Sequence, residues 1–365
     1  MPPGTEPAAG SGRAVVIGTG LIGGSVGLAM RKRGWYVIGS DTDGAALEKA
    51  RAIGAVDEAI GASDGGSLPA VDLAVVATPV ASVAPAARRA LASSRVVTDV
   101  AGVKASVVGA VADPRFVGGH PMAGSEQLGL DGADPDLFEG ATWVLTPTAD
   151  TDPSAFTTVR EMATSLGAHV VSVSPEDHDS LVAVVSHVPH LTAAALMTLA
   201  AAGAEEHASM LRLAAGGFRD MTRIAAGHPG IWPDICASNR DAILESLDGL
   251  IASLGGVRRL VDEGDQVGLL DLLERAHVAR RNLPARLIRP EDLVELRVPI
   301  PDRPGSLAEI TTLAAELGVN IYDFGIAHSV EGDQGTLLVV VDADLSDLMR
   351  GALLGRGFRP SAQPL

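Results

Sequence analysis

Cysteine, aromatic side chains and positive charge are all scarce in this chain, and each scarcity narrows what it can be. One cysteine, Cys236, stands among 365 residues, so no internal disulfide framework holds the fold, and a reducing, cytoplasmic setting suits it. With no base near it in sequence, Cys236 reads as a small buried hydrophobe. Lysine and arginine number 28 against 45 aspartates and glutamates, a formal charge of -17. So acidic a chain argues against nucleic acid or a membrane surface as partner, because both need clustered basic groups. Small-molecule chemistry is the expectation that remains. The first dozen residues lack both an apolar run and a basic start, so 1–12 read as a disordered tail and not as a secretion signal. Leu181 to Gly203 approaches the length of a membrane span, but Ser186, His187, Pro189, His190 and Thr192 interrupt it, and a buried core helix is expected.

What is present falls into three regions. From Arg13 to His178, short Val- and Ile-rich runs bounded by Gly, Pro or Asp alternate with helix-like stretches. The runs are Ala14 to Ile17, Tyr36 to Gly39, Leu73 to Ala77, Val96 to Thr98, Thr142 to Leu145 and His169 to Val173, the pattern of buried parallel strands in an α/β domain. From 179 to 285 the strand signals stop. Ala, Leu and Met recur there at helical spacing, broken at Gly216-Gly217, Gly227 to Gly230 and Gly255-Gly256. These apolar helices alone would expose much hydrophobic surface, so packing against a second subunit in a homodimer is expected. Beyond Pro284 and Pro290, the segment 290–365 reads as strand, helix, two strands and helix with room for a last short strand, a small ferredoxin-like module.

Gly18-Thr19-Gly20-Leu21-Ile22-Gly23 follows the first strand and opens a helix. In that setting the first glycine makes the tight turn, Gly20 admits a pyrophosphate close to the backbone, and Gly23 lets the helix pack on the sheet. Asp41, at the end of the second strand, stands where a carboxylate bonds the adenosine ribose hydroxyls, and its charge repels a 2'-phosphate, favouring NAD over NADP. Thr78-Pro79 and the Asp99 to Lys104 segment follow two further strands, at the edge where doubly wound sheets bind ligands; Asp99 also reads as a helix cap. His120, bracketed by Gly118-Gly119 and Pro121, reads as a proton-transfer group on a rigid turn, with a pKa near neutrality. Arg219 and Arg223 lie four residues apart, on one face if helical, and can seat a carboxylate or simply bond acidic neighbours. Trp232 and the nearby glycines favour the first reading. Asp177, His178, Asp179, His187 and His190 are the one grouping that invites a metal, and no second cluster at ligand spacing supports it.

The glycine fingerprint, His120-Pro121-Met122-Ala123-Gly124-Ser125-Glu126, Ser186-His187-Val188-Pro189-His190, Gly217-Phe218-Arg219-Asp220-Met221-Thr222-Arg223 and Trp232 occur in an order that resembles the prephenate dehydrogenase family. The match runs from Arg13 to Arg281. Beyond it, Asp302-Arg303-Pro304-Gly305-Ser306-Leu307 and Gly318-Val319-Asn320-Ile321 look like an ACT domain.

The resemblance implies a Rossmann-type dinucleotide-binding domain, an all-helical dimerisation domain and a C-terminal βαββαβ ACT domain. It implies NAD-dependent oxidative decarboxylation of prephenate to 4-hydroxyphenylpyruvate. The histidine matching His120 draws off the ring hydroxyl's proton, and the arginine matching Arg223 holds a substrate carboxylate. The positions of His190 and Trp232 line the side-chain end of the pocket, and Glu126 with Arg219 looks like an ion pair at its entrance. The family usually places a serine two residues before the lysine of the loop after the fifth strand; here that position is Gly102, so water, Ser125 or a backbone amide must substitute, or turnover is slower. Asp302, Arg303, Gly305, Leu307, Asn320 and Ile321 match an amino-acid site of ACT domains, which implies feedback by tyrosine. Arogenate dehydrogenase is the nearest alternative; another nicotinamide enzyme and a non-catalytic amino-acid sensor are the others.

Overall fold

The computed structural model describes residues 12–61, 68–125, 127, 129–206, 214–282, 293–301, 305–328 and 334–364. The chain divides into two compact units, residues 1–262 and 263–365. Of the tail expected over residues 1–12 all but Gly12, and the linker at Pro284 and Pro290, lie outside the described residues.

In the first unit the apolar runs become strands and the segments between them helices. In order these are β1 (Arg13–Ile17), α1 (Leu21–Lys32), β2 (Tyr36–Asp41), α2 (Gly44–Ala52), β3 (Glu58–Gly61), β4 (Val71–Val76), α3 (Val80–Leu91), β5 (Ser94–Asp99), α4 (Ala105–Ala110), β6 (Phe116–Pro121), β7 (Thr142–Thr146), α5 (Pro153–Ser165) and β8 (His169–Ser172). The sheet order is β3-β2-β1-β4-β5-β6-β7-β8. Its first six strands are parallel in the order of dinucleotide-binding sheets, whose ligands lie beyond the carboxyl ends of the strands. Successive residues point to opposite faces, so Val16 joins the core layer with Met30 and Trp143, and Val15 the layer with Ile38 and Phe116.

Two strands escape the sequence reading, β3 and β6. The second matters more, because Gly118-Gly119-His120 is a strand and not the turn expected of it. A Cβ at Gly118 would meet Thr146 Oγ1 at 2.4 Å, and one at Gly119 the Asp99 carbonyl at 2.7 Å. These glycines serve close packing within a sheet.

The helical region begins at Pro175, ahead of the expected 179, with Ser174 capping α6 (Pro175–Val182) by accepting from the Asp177 amide at 3.0 Å. A π-turn over Ala183–His187 joins α6 to α7 (Val188–Glu206). Pro189 has no N–H to give the Val185 carbonyl and its ring crowds that oxygen, so a wider turn is the local solution. By length and hydropathy this rod would pass for a membrane span, yet 28% of its apolar window is buried. It is thus not the buried core helix expected: α6 packs on α4, while Leu181, Val184, Val185 and Leu199 stay exposed. Asp179, bonded to the backbone amides of Lys104 and Ala105, ties the rod to the sheet domain. Then come α8 (Gly216–Thr222), α9 (Trp232–Ser238) and α10 (Arg240–Glu263). The last runs straight through Gly255-Gly256, where a break was expected; glycine in a helix interior costs about 1 kcal/mol, which a helix of 24 residues absorbs.

The second unit opens with α11 (Gln266–Arg281), followed by β9 (Leu293–Pro301), α12 (Ser306–Glu316), β10 (Asp323–His328), β11 (Gln334–Asp342), α13 (Ala343–Gly355) and β12 (Ser361–Pro364). The antiparallel sheet has the order β10-β11-β9-β12, so the βαββαβ expectation holds and the last short strand is there. Leu296, Val298, Leu337 and Val339 meet Ile310, Leu313, Met349 and Leu353 in its core. Leu307 and Ile321 also pack against that core, Asn320 is exposed, and Gly305 takes φ 96° before α12. Asp302 and Arg303 lie outside the described residues.

Candidate active site

The loop between β1 and α1 leaves space that only glycine can leave. Gly18 takes φ 93°, and a Cβ at Gly23 would sit 1.9 Å from the Gly18 carbonyl oxygen. Gly20 has nothing within 4 Å of where its Cβ would be. Leu21 and Ile22 begin α1 with no side-chain cap and no acid in the first turn, so its amides are free to face an anion. Asp41 leans over the loop: one oxygen accepts from Thr19 N at 2.6 Å and Thr19 Oγ1 at 2.9 Å, the other from Asp43 N at 3.0 Å. Thr78, just before Pro79 caps α3, has a buried Oγ1 with no partner among the described residues. The open glycine, the free amides, the fixed carboxylate and the orphaned hydroxyl together fit a dinucleotide.

The next strand ends carry a connected set of polar and charged side chains. β6 pairs with β5 only at Phe116 and Val117 before turning to β7. There the Gly119 backbone leaves the β5 ladder, and side chains take over. Asp99 Oδ1 accepts from Gly119 N at 3.1 Å and Lys104 Nζ donates to Gly119 O at 2.8 Å, while Lys104 and Asp99 form an ion pair with both side chains wholly buried. Asp99 is therefore not the cap of α4, whose N-cap position is Lys104, but the partner of Lys104 and of the Gly119 peptide. Burial pushes the Lys104 amine down, opposed by the Asp99 charge.

His120 follows Gly119 on this strand, half-buried. Its Nδ1 lies 2.9 Å from His178 Nε2, and His178 Nδ1 lies 2.8 Å from Asp179 Oδ1. Asp179 Oδ1 also accepts from Lys104 N at 2.7 Å, and its Oδ2 from Ala105 N at 2.9 Å. Asn239 Nδ2 donates to the Asp179 carbonyl at 2.8 Å and lies 3.2 Å from His187 Nδ1. Burial drives the His120 imidazole well below the usual histidine range, and the neighbouring His178, Lys104 and His187 push it the same way. The expected pKa near neutrality is thus corrected downward, toward a neutral imidazole.

The other wall is aromatic. His190, on α7, stacks on Trp232 with ring centroids 3.7 Å apart and planes 17° apart, and His187 meets the same indole edge-on. Gly227 closes on His190, its Cβ position 3.6 Å from Cε1. Arg223 starts the short turn that leads there; Arg219 lies on α8, exposed, with Nε on the Ala214 carbonyl at 3.3 Å. Ser125 is exposed and its Oγ accepts from Gln127 N at 3.1 Å. Glu126, and with it the expected ion pair to Arg219, lies outside the described residues. At Gly102, a Cβ would stand 3.7 Å from His120 Nε2, which identifies the histidine edge that faces this position.

Profiles for the prephenate dehydrogenase nucleotide-binding domain and the prephenate dehydrogenase dimerization domain match residues 26–172 and 174–275. Prephenate dehydrogenase of Bacillus subtilis strain 168 is 34% identical over 343 residues, 90% of this chain and 92% of its own length. The chain belongs to the prephenate dehydrogenase family. The structure of the Aquifex aeolicus prephenate dehydrogenase, in complex with hydroxyphenyl propionate and NAD+, superposes with a TM-score of 0.68 at 29% identity, covering 74% of this chain and 97% of that one. Synechocystis arogenate dehydrogenase gives 0.62 at 32% identity, covering 74% and 99%.

As a prephenate dehydrogenase family member, the chain brings His120, His190 and Trp232 to strand ends and helices that adjoin the nucleotide loops. His178, Asp179, Lys104 and Asn239 were missed as parts of this site. In the sequence the first two read only as metal ligands; the signal for them is an adjacent histidine and aspartate within a helix that docks on the sheet domain.

Proposed function

We propose that the chain is an NAD-dependent prephenate dehydrogenase that forms 4-hydroxyphenylpyruvate. The observation that carries the reading is His120, tied back at Nδ1 and open at Nε2 beside Gly102. NAD, when bound, supplies the hydride acceptor, with Gly18, Gly20, Gly23, Leu21 and Ile22 around its pyrophosphate, Asp41 on its ribose and Thr78 and Pro79 beside it. His120 Nε2 takes the ring hydroxyl's proton as hydride leaves the same carbon. Carbon dioxide departs, the ring becomes aromatic, and the proton returns to the phenolic oxygen, so no net proton is released. Proton handling of this kind contributes about 10²–10⁴ in rate. Arg223 holds a substrate carboxylate, and the His190–Trp232 stack borders the side-chain end. The test is NADH formation with prephenate and arogenate, each with NAD and NADP; turnover of arogenate alone refutes the substrate assignment. Arogenate stays the second reading because the Synechocystis enzyme is as similar as the prephenate enzymes.

Two further parts belong to the proposal. Leu244, Ile251, Leu254 and Val261 are exposed along α10 at spacings of seven, three and seven, which supports burial against a second copy; a monomeric mass at micromolar concentration refutes it. The C-terminal βαββαβ unit is taken as an ACT domain through which tyrosine inhibits, with a coupling on the order of 1–3 kcal/mol. Equal inhibition curves with and without residues 290–365 refute that. A cytoplasmic site of action fits the single cysteine.

A further inference from the structure

We propose that His178 and Asp179 are positioning residues that lock His120 in the one neutral tautomer able to take the substrate's proton. This rests on the reaction assigned above. The argument is a sequence of donors and acceptors. The Asp179 carboxylate already accepts from the Lys104 and Ala105 amides, and a carboxylate only accepts, so the hydrogen in its 2.8 Å contact belongs to His178 Nδ1. Neutral His178 then has a bare Nε2. The 2.9 Å contact to His120 therefore has His120 Nδ1 donating, and His120 Nε2 carries the lone pair. That nitrogen is the one facing Gly102.

The same chain also serves the charged state. When Nε2 takes the proton, Nδ1–H still donates to His178, and Asp179 supplies negative charge one imidazole away. Lys104 on the loop after β5 and His187 on the π-turn also face His120, and the Asp179 carboxylate is the negative charge at the far end of this chain of hydrogen bonds. His178 is 1% exposed and Asp179 7% in their side chains, which suits a proton that is held and returned and not released. No sequence-local group does this work, and with glycine at 102 no side-chain hydroxyl there shares it.

Leucine at 178 removes both hydrogen bonds, whereas glutamine keeps both, its carbonyl accepting from His120 and its amide donating to Asp179. Full-length protein with isotope-labelled histidine is compared as wild type, H178Q and H178L, with NAD added. Ring-nitrogen resonances of His120, assigned with H120N, report the tautomer, and steady-state kinetics with prephenate across pH give kcat and KM. The expected results are Nδ1–H on His120 in wild type and H178Q, a shift toward Nε2–H in H178L, and a loss in kcat of about 10²–10⁴ in H178L with KM within about threefold. H178Q retains most of the turnover. Nε2–H on His120 in wild type, H178L turnover within threefold of wild type, or H178Q failing as badly as H178L overturns the proposal. Should H178L not fold, H178Q decides by the same two readouts. Wild-type protein that leaves prephenate unchanged refutes the reaction, while the nitrogen resonances still judge the tautomer.

Discussion

A serine at position 102 adds a hydroxyl beside the proton-accepting edge of His120, and the geometry fixes what it should do. The new Cβ stands 3.7 Å from His120 Nε2 and 3.8 Å from Cε1, with no other contact inside 4 Å outside its chain neighbours. Both are ordinary van der Waals separations. Gly102 is not among the glycines of positive φ, so an L side chain fits without backbone strain. One bond farther out, the hydroxyl stands beside Nε2, where the proposed reaction brings the substrate's own hydroxyl. A neutral hydrogen bond contributes about 0.5–1.5 kcal/mol net, which corresponds to about two- to twelvefold in rate at about 1.4 kcal/mol per decade. Because charge develops on the oxygen during hydride loss, the gain belongs in kcat more than in KM. The assay is initial-rate NADH formation at saturating NAD for wild type and G102S, with thermal unfolding as the check on folding. A folded G102S with unchanged kcat and KM would refute the idea that the hydroxyl is simply missing, and would mean another group already fills its role.

Four further outcomes follow from the same structure. The His120 imidazole is depressed and works as the neutral base, so kcat/KM should hold as pH falls through about 6.5, the ordinary histidine value, and fail only well below it; an acid limb at or above that value refutes the environment described. By the same sign, the unfolded chain takes up a proton that half-buried His120 refuses, so stability should fall as pH drops below about 6.5, read by urea midpoints at pH 7 and 5. Lys104→Met leaves Asp99 buried without its partner and should cost about 3–5 kcal/mol in urea unfolding, with less than additive loss in the D99N/K104M double variant. Gly23→Ala puts a methyl 1.9 Å from the Gly18 carbonyl oxygen and should exceed the roughly 1–3 kcal/mol of ordinary overpacking, measured as a lowered Tm with lost NAD binding.

The parts of this fold that could be read from the sequence are those whose cause is local. The alternation of Val-rich runs with helical segments, the glycine loop at 18–23 and the βαββαβ order each rest on neighbours within a few residues. His120 could be picked out for its setting but was given the wrong one, because Gly118-Gly119 is the same signal whether the chain turns or packs tightly against Asp99 and Thr146. Asp99 invited a reading as a helix cap and is none, since its partners are set by where β6 leaves β5. His178 and Asp179 sit 58 and 75 residues from the partners that give them meaning, and no periodicity reports such a pairing. Pro189 was a legible warning: a proline within an apolar helical run must distort it, and the π-turn just ahead is that distortion.

The buried Lys104–Asp99 pair looks at first like an expensive way to hold a core together, because desolvating two charges can offset their attraction. Its placement gives a different reason. At Gly119 the strand changes partners, so the Gly119 N–H and C=O have no ladder to join on the β5 side, and unpaired buried backbone groups cost free energy comparable to a lost hydrogen bond. Asp99 and Lys104 satisfy one each. The Lys104 backbone amide at the same time holds Asp179, which holds His178, which holds His120. One residue therefore fixes His120 from both ends, through the peptide that precedes it and through the imidazole behind it. A histidine on a mobile turn would need its geometry found at each turnover. Held on a strand whose departure from the sheet is filled by an ion pair, His120 stands ready before the substrate arrives, and that preorganisation is what a proton acceptor for hydride transfer requires.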